Sequence, residues 1–448
     1  MIGKSPIQGQ KDLFQPLLKE FIDMNHELVL LSQEINWKEL EEGFSSLYSN
    51  TGTPAKPVRL MCGLLILKQI YNLGDETLIP AWISNPYMQY FCGEAHFQWQ
   101  QPCDPSDLVH FRKRIGANGI EKIFALSISI HGKQGQSKEL NIDSTAQEKN
   151  ITYPTDTKLR KKIIDKCVAI AKKENIELRQ SYKFTTKKCL IKSRFAHHPK
   201  RKKQAHAAQR KIKTIAARLV RELYRKLSPE QLPHYQNDLQ LYTRVLAQQK
   251  NDSNKIYSLH EPNVSCIAKG KAHKPYEYGS KASIATTQNG NIIVAAVSFQ
   301  GNPHDSKTLH RTLQQHKRIT GINAQSANVD RGYRGAKKIY STQIIAPDTG
   351  KNTSPYQKQK MRNRFRRRAS IEPIISHMKH QYRMLKNYLK GIAGDAINLM
   401  MSAAAFNFKS WMNKIKQKFS FAFLQIIMQI QILMAFVCFN LKLTVVKD

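Results

Sequence analysis

Acidic residues are scarce in this chain. Lys and Arg number 71 and Asp and Glu 33 over 448 residues, a net charge of +38. Such a surplus repels itself in a compact state and calls for an anionic partner. Nucleic acid fits best and an anionic membrane surface second; a small neutral metabolite does not call for it. Paired cysteines are missing too. The seven cysteines, at 62, 92, 103, 167, 189, 266 and 438, form no CxxC pair and no Cys/His pattern of zinc spacing. That argues against a disulfide framework and a structural zinc site. No Walker pattern occurs, so no nucleotide partner is expected. The opening MIGKSPIQGQKDLF has no apolar stretch of the signal-peptide kind, and a cytoplasmic setting is expected. Internal repeats and low-complexity linkers are absent. With 41% hydrophobic residues the chain can build a core, which excludes a fully disordered protein.

One long uncharged run exists, Phe419 to Leu441, 23 residues. It is long enough to cross a bilayer. Gln425, Gln429, Gln431 and Asn440 are costly in lipid, so an apolar tail over 411–448 is expected rather than a membrane span.

The charge is concentrated. Between Lys158 and Lys226 there are 24 Lys or Arg against 4 acids, and between Lys351 and Lys390 there are 12 against one. Residues 1–135 read as helices, with Leu60, Leu64, Leu67 and Ile70 at helical spacing. In PCDPSDLVHFRKRIG, Ser106 or Asp107 can cap a helix that presents Arg112, Lys113 and Arg114. The spacing allows a helix-turn-helix, with Arg112 and Arg114 as DNA contacts and plain packing or dimerisation as the other reading. KELNIDST, 138–145, alternates as a short strand. Residues 156–255 return to basic helix, which suits contact with a phosphate backbone. From 276 two strands flank Gln288-Asn289-Gly290-Asn291, a hairpin-type turn. A helix over Lys307 to Gln315 and short strands at 326–330 and 343–347 follow. The expected architecture is a mixed α/β catalytic core over 136–410, interrupted by the 156–255 insertion and preceded by a helical domain.

In so basic a chain, acids at strand ends are informative. Asp143 ends the strand in NIDSTAQEKN, and Asp330 ends the strand in NVDRGYRG. Glu372, in RNRFRRRASIEPIISHMKH, is the only acid between Asp348 and Asp395. Phosphodiester cleavage needs charge stabilisation on attacking and leaving oxygens, which two Mg²⁺ ions provide. Mg²⁺ takes hard oxygen ligands, and three converging carboxylates suffice. Arg368 and Lys379 share a face with Glu372 if the helix is continuous. Pro373 suits a helix that starts at Ser370 instead, in which only the Glu372–Lys379 relation survives.

These motifs resemble the DDE transposases of bacterial insertion sequences, most closely the insertion-sequence-five group. The matching residues are NIDST with Asp143, NVDRGYRG with Asp330 and RRRASIEPIISHMK with Glu372. The group's C-terminal signature is Tyr, Arg, Glu and Lys; here Phe365, Arg368, Glu372 and Lys379 stand in those places, and Phe365 lacks the hydroxyl. HEPNVSCIAKGKAHKPYEYGSKASI (260–284) resembles the group's middle segment. The resemblance spans roughly 40–410. It implies a ribonuclease-H-like core, and two Mg²⁺ ions on Asp143, Asp330 and Glu372, with Mn²⁺ able to substitute. It further implies binding of element ends and target DNA, a homo-oligomer that pairs ends, and a place on the nucleoid. Arg368 and Lys379 would position phosphates, with Phe365 and Arg331 near the DNA.

Other features carry less. Lys271 and Lys274, interleaved with Tyr276 and Tyr278, suit gripping a strand. Asp305, an acid beside His304 in a turn after a strand, is expected mainly to serve the local backbone, with a metal-ligand role as the lesser reading. Ser144 has no base placed by sequence and is not expected to be a nucleophile.

Overall fold

A computed structural model describes Gly3 and residues 15–445, except 50, 250, 270–273, 336 and 348–353. Seven helices come first: α1 Leu18–Phe21, α2 Glu27–Glu34, α3 Trp37–Phe44, α4 Val58–Ile70, α5 Asp75–Ile83, α6 Pro86–Phe91 and α7 Pro105–Ser129. Helix α4 is apolar on nearly every side and is buried accordingly. The cap of α7 is Asp104, not Ser106 or Asp107. Its carboxylate accepts from Ser106 N at 2.8 Å, Pro105 takes the first helical position, and Asp107 reaches back to Asp104 N at 3.0 Å. The thirteen residues between α6 and α7 are too many for the tight turn of a helix-turn-helix. Within α7 the helix breaks at Gly116, whose φ of 58° is open to glycine and strained for other residues.

The sheet begins with β1, Glu139–Lys149, longer than the strand expected over 138–145. After it come α8 Asp156–Lys173, α9 Lys183–Ser193, α10 Lys202–Lys226 and α11 Leu232–Ala247. The chain then returns as β2 Ser265–Ala268, β3 Tyr276–Thr287, β4 Ile293–Phe299, α12 Asp305–Thr320, β5 Ser326–Asn328, β6 Lys338–Ile339 and β7 Thr342–Ile345. The last elements are α13 Pro355–Arg368, α14 Ile371–His380, β8 Lys386–Asn387 and α15 Gly391–Val445. Strand order is β2-β3-β1-β5-β7-β6, with β4 on β3 and β8 on β1. The β1–β3 pair is antiparallel, and β1–β5 and β5–β7 are parallel. The fold is ribonuclease-H-like. The β1–β3 pairing demands glycine at 279, where an added Cβ would lie 1.9 Å from Gln147 O. The β3–β4 hairpin forms as expected, but its left-handed residue is Asn291, at φ 54°, rather than Asn289 or Gly290.

Two large hydrophobic cores, with a small third one at Leu18, Ile22 and Val29, form among the described residues. One joins α2–α7, the sheet and the first part of α15, from Leu28 to Met412. Asn407 of α15 stitches it. Fully buried, it accepts from Ile293 N and donates to Ile293 O, both at 2.9 Å, and donates to Ser127 Oγ at 3.2 Å. The other core lies within the insertion, where Ile163, Ile212, Leu219 and Leu239 are buried. The cations of α10, among them Lys203, Arg210, Lys213 and Arg218, are exposed. At the root of the insertion, buried Lys149 bonds Asp395 at 2.8 Å and Glu261 at 3.5 Å. Among the described residues no helix is long and apolar enough to cross a membrane. The side chains of 419–441, apart from Gln429 and Gln431, lie outside the description.

Candidate active site

Strands β1 and β5 carry one pattern twice, Asn-aliphatic-Asp: Asn141-Ile142-Asp143 and Asn328-Val329-Asp330. The strands run parallel with Asn141 level with Asn328. The buried Asn328 amide donates to Asn141 Oδ1 at 3.0 Å and locks that register. Side chains at equal positions of a parallel pair point the same way. Asp143 and Asp330, two residues further on, therefore emerge side by side where β5 ends. Asp330 then turns the chain, its Oδ1 accepting from Gly332 N at 2.8 Å.

The chain between Arg368 and Glu372 breaks. Helix α13 stops at Arg368 and α14 starts at Ile371, so the helix begins after Ser370 and the face shared by 368, 372 and 379 does not exist. Ser370 itself makes no side-chain cap; its hydroxyl donates to Asn291 Oδ1 at 2.8 Å. Buried Ile374 and Met378 anchor α14, which packs on β1. Glu372, in its first turn, is exposed. The break turns Arg368 inward, where its Nη2 lies 3.1 Å from Asp143 Oδ2. Asp143 Oδ1 accepts from Ser144 N at 2.8 Å.

Burial pushes the Asp143 carboxyl up to about 6; Arg368 and the Ser144 N–H oppose the rise, while the charges of Asp330 and Glu372 add to it. Two acids thus bear on Asp143 through space. Among the described residues, no three His, Cys, Asp or Glu side chains sit close enough to hold an ion between them. The donor set is nonetheless right for Mg²⁺. It offers only hard carboxylate oxygens, one of them held in a field that disfavours its charge, a deficit that a divalent cation relieves.

The other expected contacts are scattered. Arg112 is a correction. It is 6% exposed and grips Asp75 with both terminal nitrogens, at 2.8 and 2.7 Å, so it holds α7 to α5 and is closed to DNA. Arg114 is exposed, its guanidinium over the Tyr48 ring at 4.9 Å. Arg331 is exposed beside Asp330. Lys274 pairs with Glu148. Phe365 and Lys379 are half-buried, and Lys271 lies outside the described residues. Asp305 departs from expectation. It begins α12 and its side chain reaches Ser144 and Lys281 instead of its own turn. The repeated Asn-x-Asp pattern could have been found by eye; the reach of Asp305 across 161 residues could not.

Residues 16–114 match the family described as Transposase domain (DUF772), and residues 250–408 match the Transposase DDE domain. The chain belongs to the DDE transposases. It is thus a DDE-type transposase enzyme of insertion-sequence kind. Asp330 and Glu372 fall inside the matched segment, whereas Asp143 lies between the two. The transposase is also 38% identical, over 198 residues, to "Uncharacterized protein ORF8 in nfe locus" of Rhizobium meliloti, covering 43% of this chain and 96% of that one. No solved structure matches it.

Proposed function

We propose that this transposase, of the insertion-sequence-five group, cuts DNA at the ends of its element and joins the freed ends to target DNA, with Asp143, Asp330 and Glu372 as the metal-holding acids. The parallel register of the two Asn-x-Asp motifs supports this reading, because it brings two carboxylates to neighbouring strand ends, and the charge of Glu372 reaches Asp143 as well. Two Mg²⁺ ions, or Mn²⁺ in their place, would lower the charge on attacking and leaving oxygens when bound. In the first step a water oxygen bonds to phosphorus and the bond from phosphorus to the 3′ oxygen breaks, leaving a 3′-hydroxyl. In the second, that hydroxyl oxygen bonds to a target phosphorus and displaces the target's own 3′ oxygen. The chain's part is placement. Arg368 balances Asp143 until substrate arrives, and its Nε, buried without a hydrogen-bond partner, is free to meet a phosphate oxygen. Lys379, Arg331, Arg114, Lys274 and Lys271, with Phe365, line the path of the DNA. The exposed cations of α10 extend it. Two copies pair the two ends, in the cytoplasm at the nucleoid.

The second reading is a copy that binds ends and represses without cutting. Phe365, in the place of a signature tyrosine, favours it. The test is a labelled fragment carrying the gene's flanks, incubated with full-length protein and Mg²⁺ or EDTA beside Glu372→Gln. Nicks at the flank boundary that need both Mg²⁺ and Glu372 are expected. Binding with no nick would replace the first reading by the second.

A further inference from the structure

Asp305 sits where no three-acid scheme places an acid. Its Oδ1 accepts from Ser144 Oγ at 2.6 Å and from Lys281 Nζ at 2.5 Å. Lys281 is itself buried and donates to Pro303 O at 2.7 Å, so this half of the carboxylate is fixed from two sides. Both contacts fall on Oδ1. The other oxygen, Oδ2, faces Gly332. A methyl group added at Gly332 would lie 3.0 Å from Asp305 Oδ2 and 3.0 Å from Asp330 Oδ1. Oxygens of both carboxylates therefore flank Gly332 at close range, and a side chain there would press on both. A second observation points into it. Tyr333 is 1% exposed, and its Oη has no hydrogen-bond partner among the described residues. Its hydroxyl lies beside Ser144, Asp305 and Asp330. A buried orphan donor marks a place where an oxygen-bearing ligand is missing.

We propose that Asp305 is a fourth acidic ligand of the reaction centre, binding through Oδ2 the same divalent cation as Asp330. This rests on the reading of Asp330 as a metal-holding acid. Lys281, anchored on Pro303 O, neutralises and holds one oxygen whether or not the Ser144 hydroxyl is present, leaving the other for the ion, and the Tyr333 hydroxyl donates to an oxygen in the cation's shell. The alternative role for Asp305 is mechanical, as an acceptor that props Ser144 beside Asp143. Asparagine separates the two, since it keeps the Oδ1 acceptor and removes the charge from the free side.

Free Mn²⁺ is measured by electron paramagnetic resonance during titration of the full-length protein without DNA, with circular dichroism as the check of folding. Asp330→Asn and Asp305→Asn are each expected to bind Mn²⁺ about tenfold more weakly than the unmutated protein. Ser144→Ala, which leaves the Asp305 carboxylate in place, is expected to bind it as the unmutated protein does. If Asp330→Asn loses Mn²⁺ and Asp305→Asn does not, Asp305 is a prop and the inference fails alone. If the unmutated protein binds no Mn²⁺, or Asp330→Asn binds it equally well, the reading of the acids fails and takes the inference with it. Should Asp305→Asn not fold, Ser144→Ala decides: retained affinity supports the ligand role, and lost affinity overturns it.

Discussion

Two largely shielded arginine–aspartate pairs behave in opposite ways. Between α7 and α5, Arg112 holds Asp75 with two parallel hydrogen bonds, and Lys68 adds a third at 2.8 Å. Burial pushes the Asp75 carboxyl up, but the Arg112 hydrogen bonds and the Lys68 charge outweigh it, and the group stays below the usual carboxylate range. Burial likewise brings Lys68 down to about 8. At the cleft, Arg368 meets Asp143 through one nitrogen, and two further acids lean on the same carboxylate. Burial alone does not decide what an ion pair is for. A bidentate pair with no competing charge is a clasp; a single contact amid like charges is held ready to change partners.

The comparison can be broken at three points. Arg112→Met leaves half-buried Asp75 with only Lys68, and a loss of about 2–4 kcal/mol is expected. Denaturant titration checks it, and a loss below 1 kcal/mol would remove the clasp from the account. Asp143→Asn acts the other way. Its folded value of about 6 exceeds the unfolded 3.8, so stability falls as pH rises through that window and the cost persists above it. The substitution should leave stability unchanged near pH 4 and raise it by roughly 1–3 kcal/mol at pH 7.5. Melting curves at the two pH values decide; a gain that does not depend on pH counts against a strained carboxylate. Arg368→Gln should change stability least, by under about 1 kcal/mol, since Asp143 can take up a proton when its partner leaves. Its effect belongs in end cleavage, and a variant that cuts as fast as the unmutated protein would make Arg368 a spectator.

The three acids proposed to hold metal stand out in the sequence because each signal is local: a strand end, a glycine turn, one carboxylate among arginines. The start of α14 after Ser370 was legible for the same reason, since Pro373 is tolerated only in a first turn. What depends on distant partners was not. Arg112 looked like a surface cation because Asp75 lies 37 residues away. Asp305 looked like a turn residue because Lys281 and Ser144 come from other strands. The α2–α7 helices looked like a separate body because nothing local reports that Asn407, near the far end, binds them to β4.

The level pairing of Asn141 with Asn328 has a genetic consequence. Side chains alternate across a strand, so one codon inserted into β1 before Asp143 turns that carboxylate to the opposite face of the sheet while Asp330 stays where it is. The basic surfaces of the insertion and of α13 lie outside that strand and keep their charge. If Asp143 and Asp330 hold the metal as proposed, a three-nucleotide change that preserves the reading frame would convert a DNA-cutting enzyme into a DNA-holding competitor of its intact siblings, which makes the spacing of these two short motifs the first thing to compare among copies of the element.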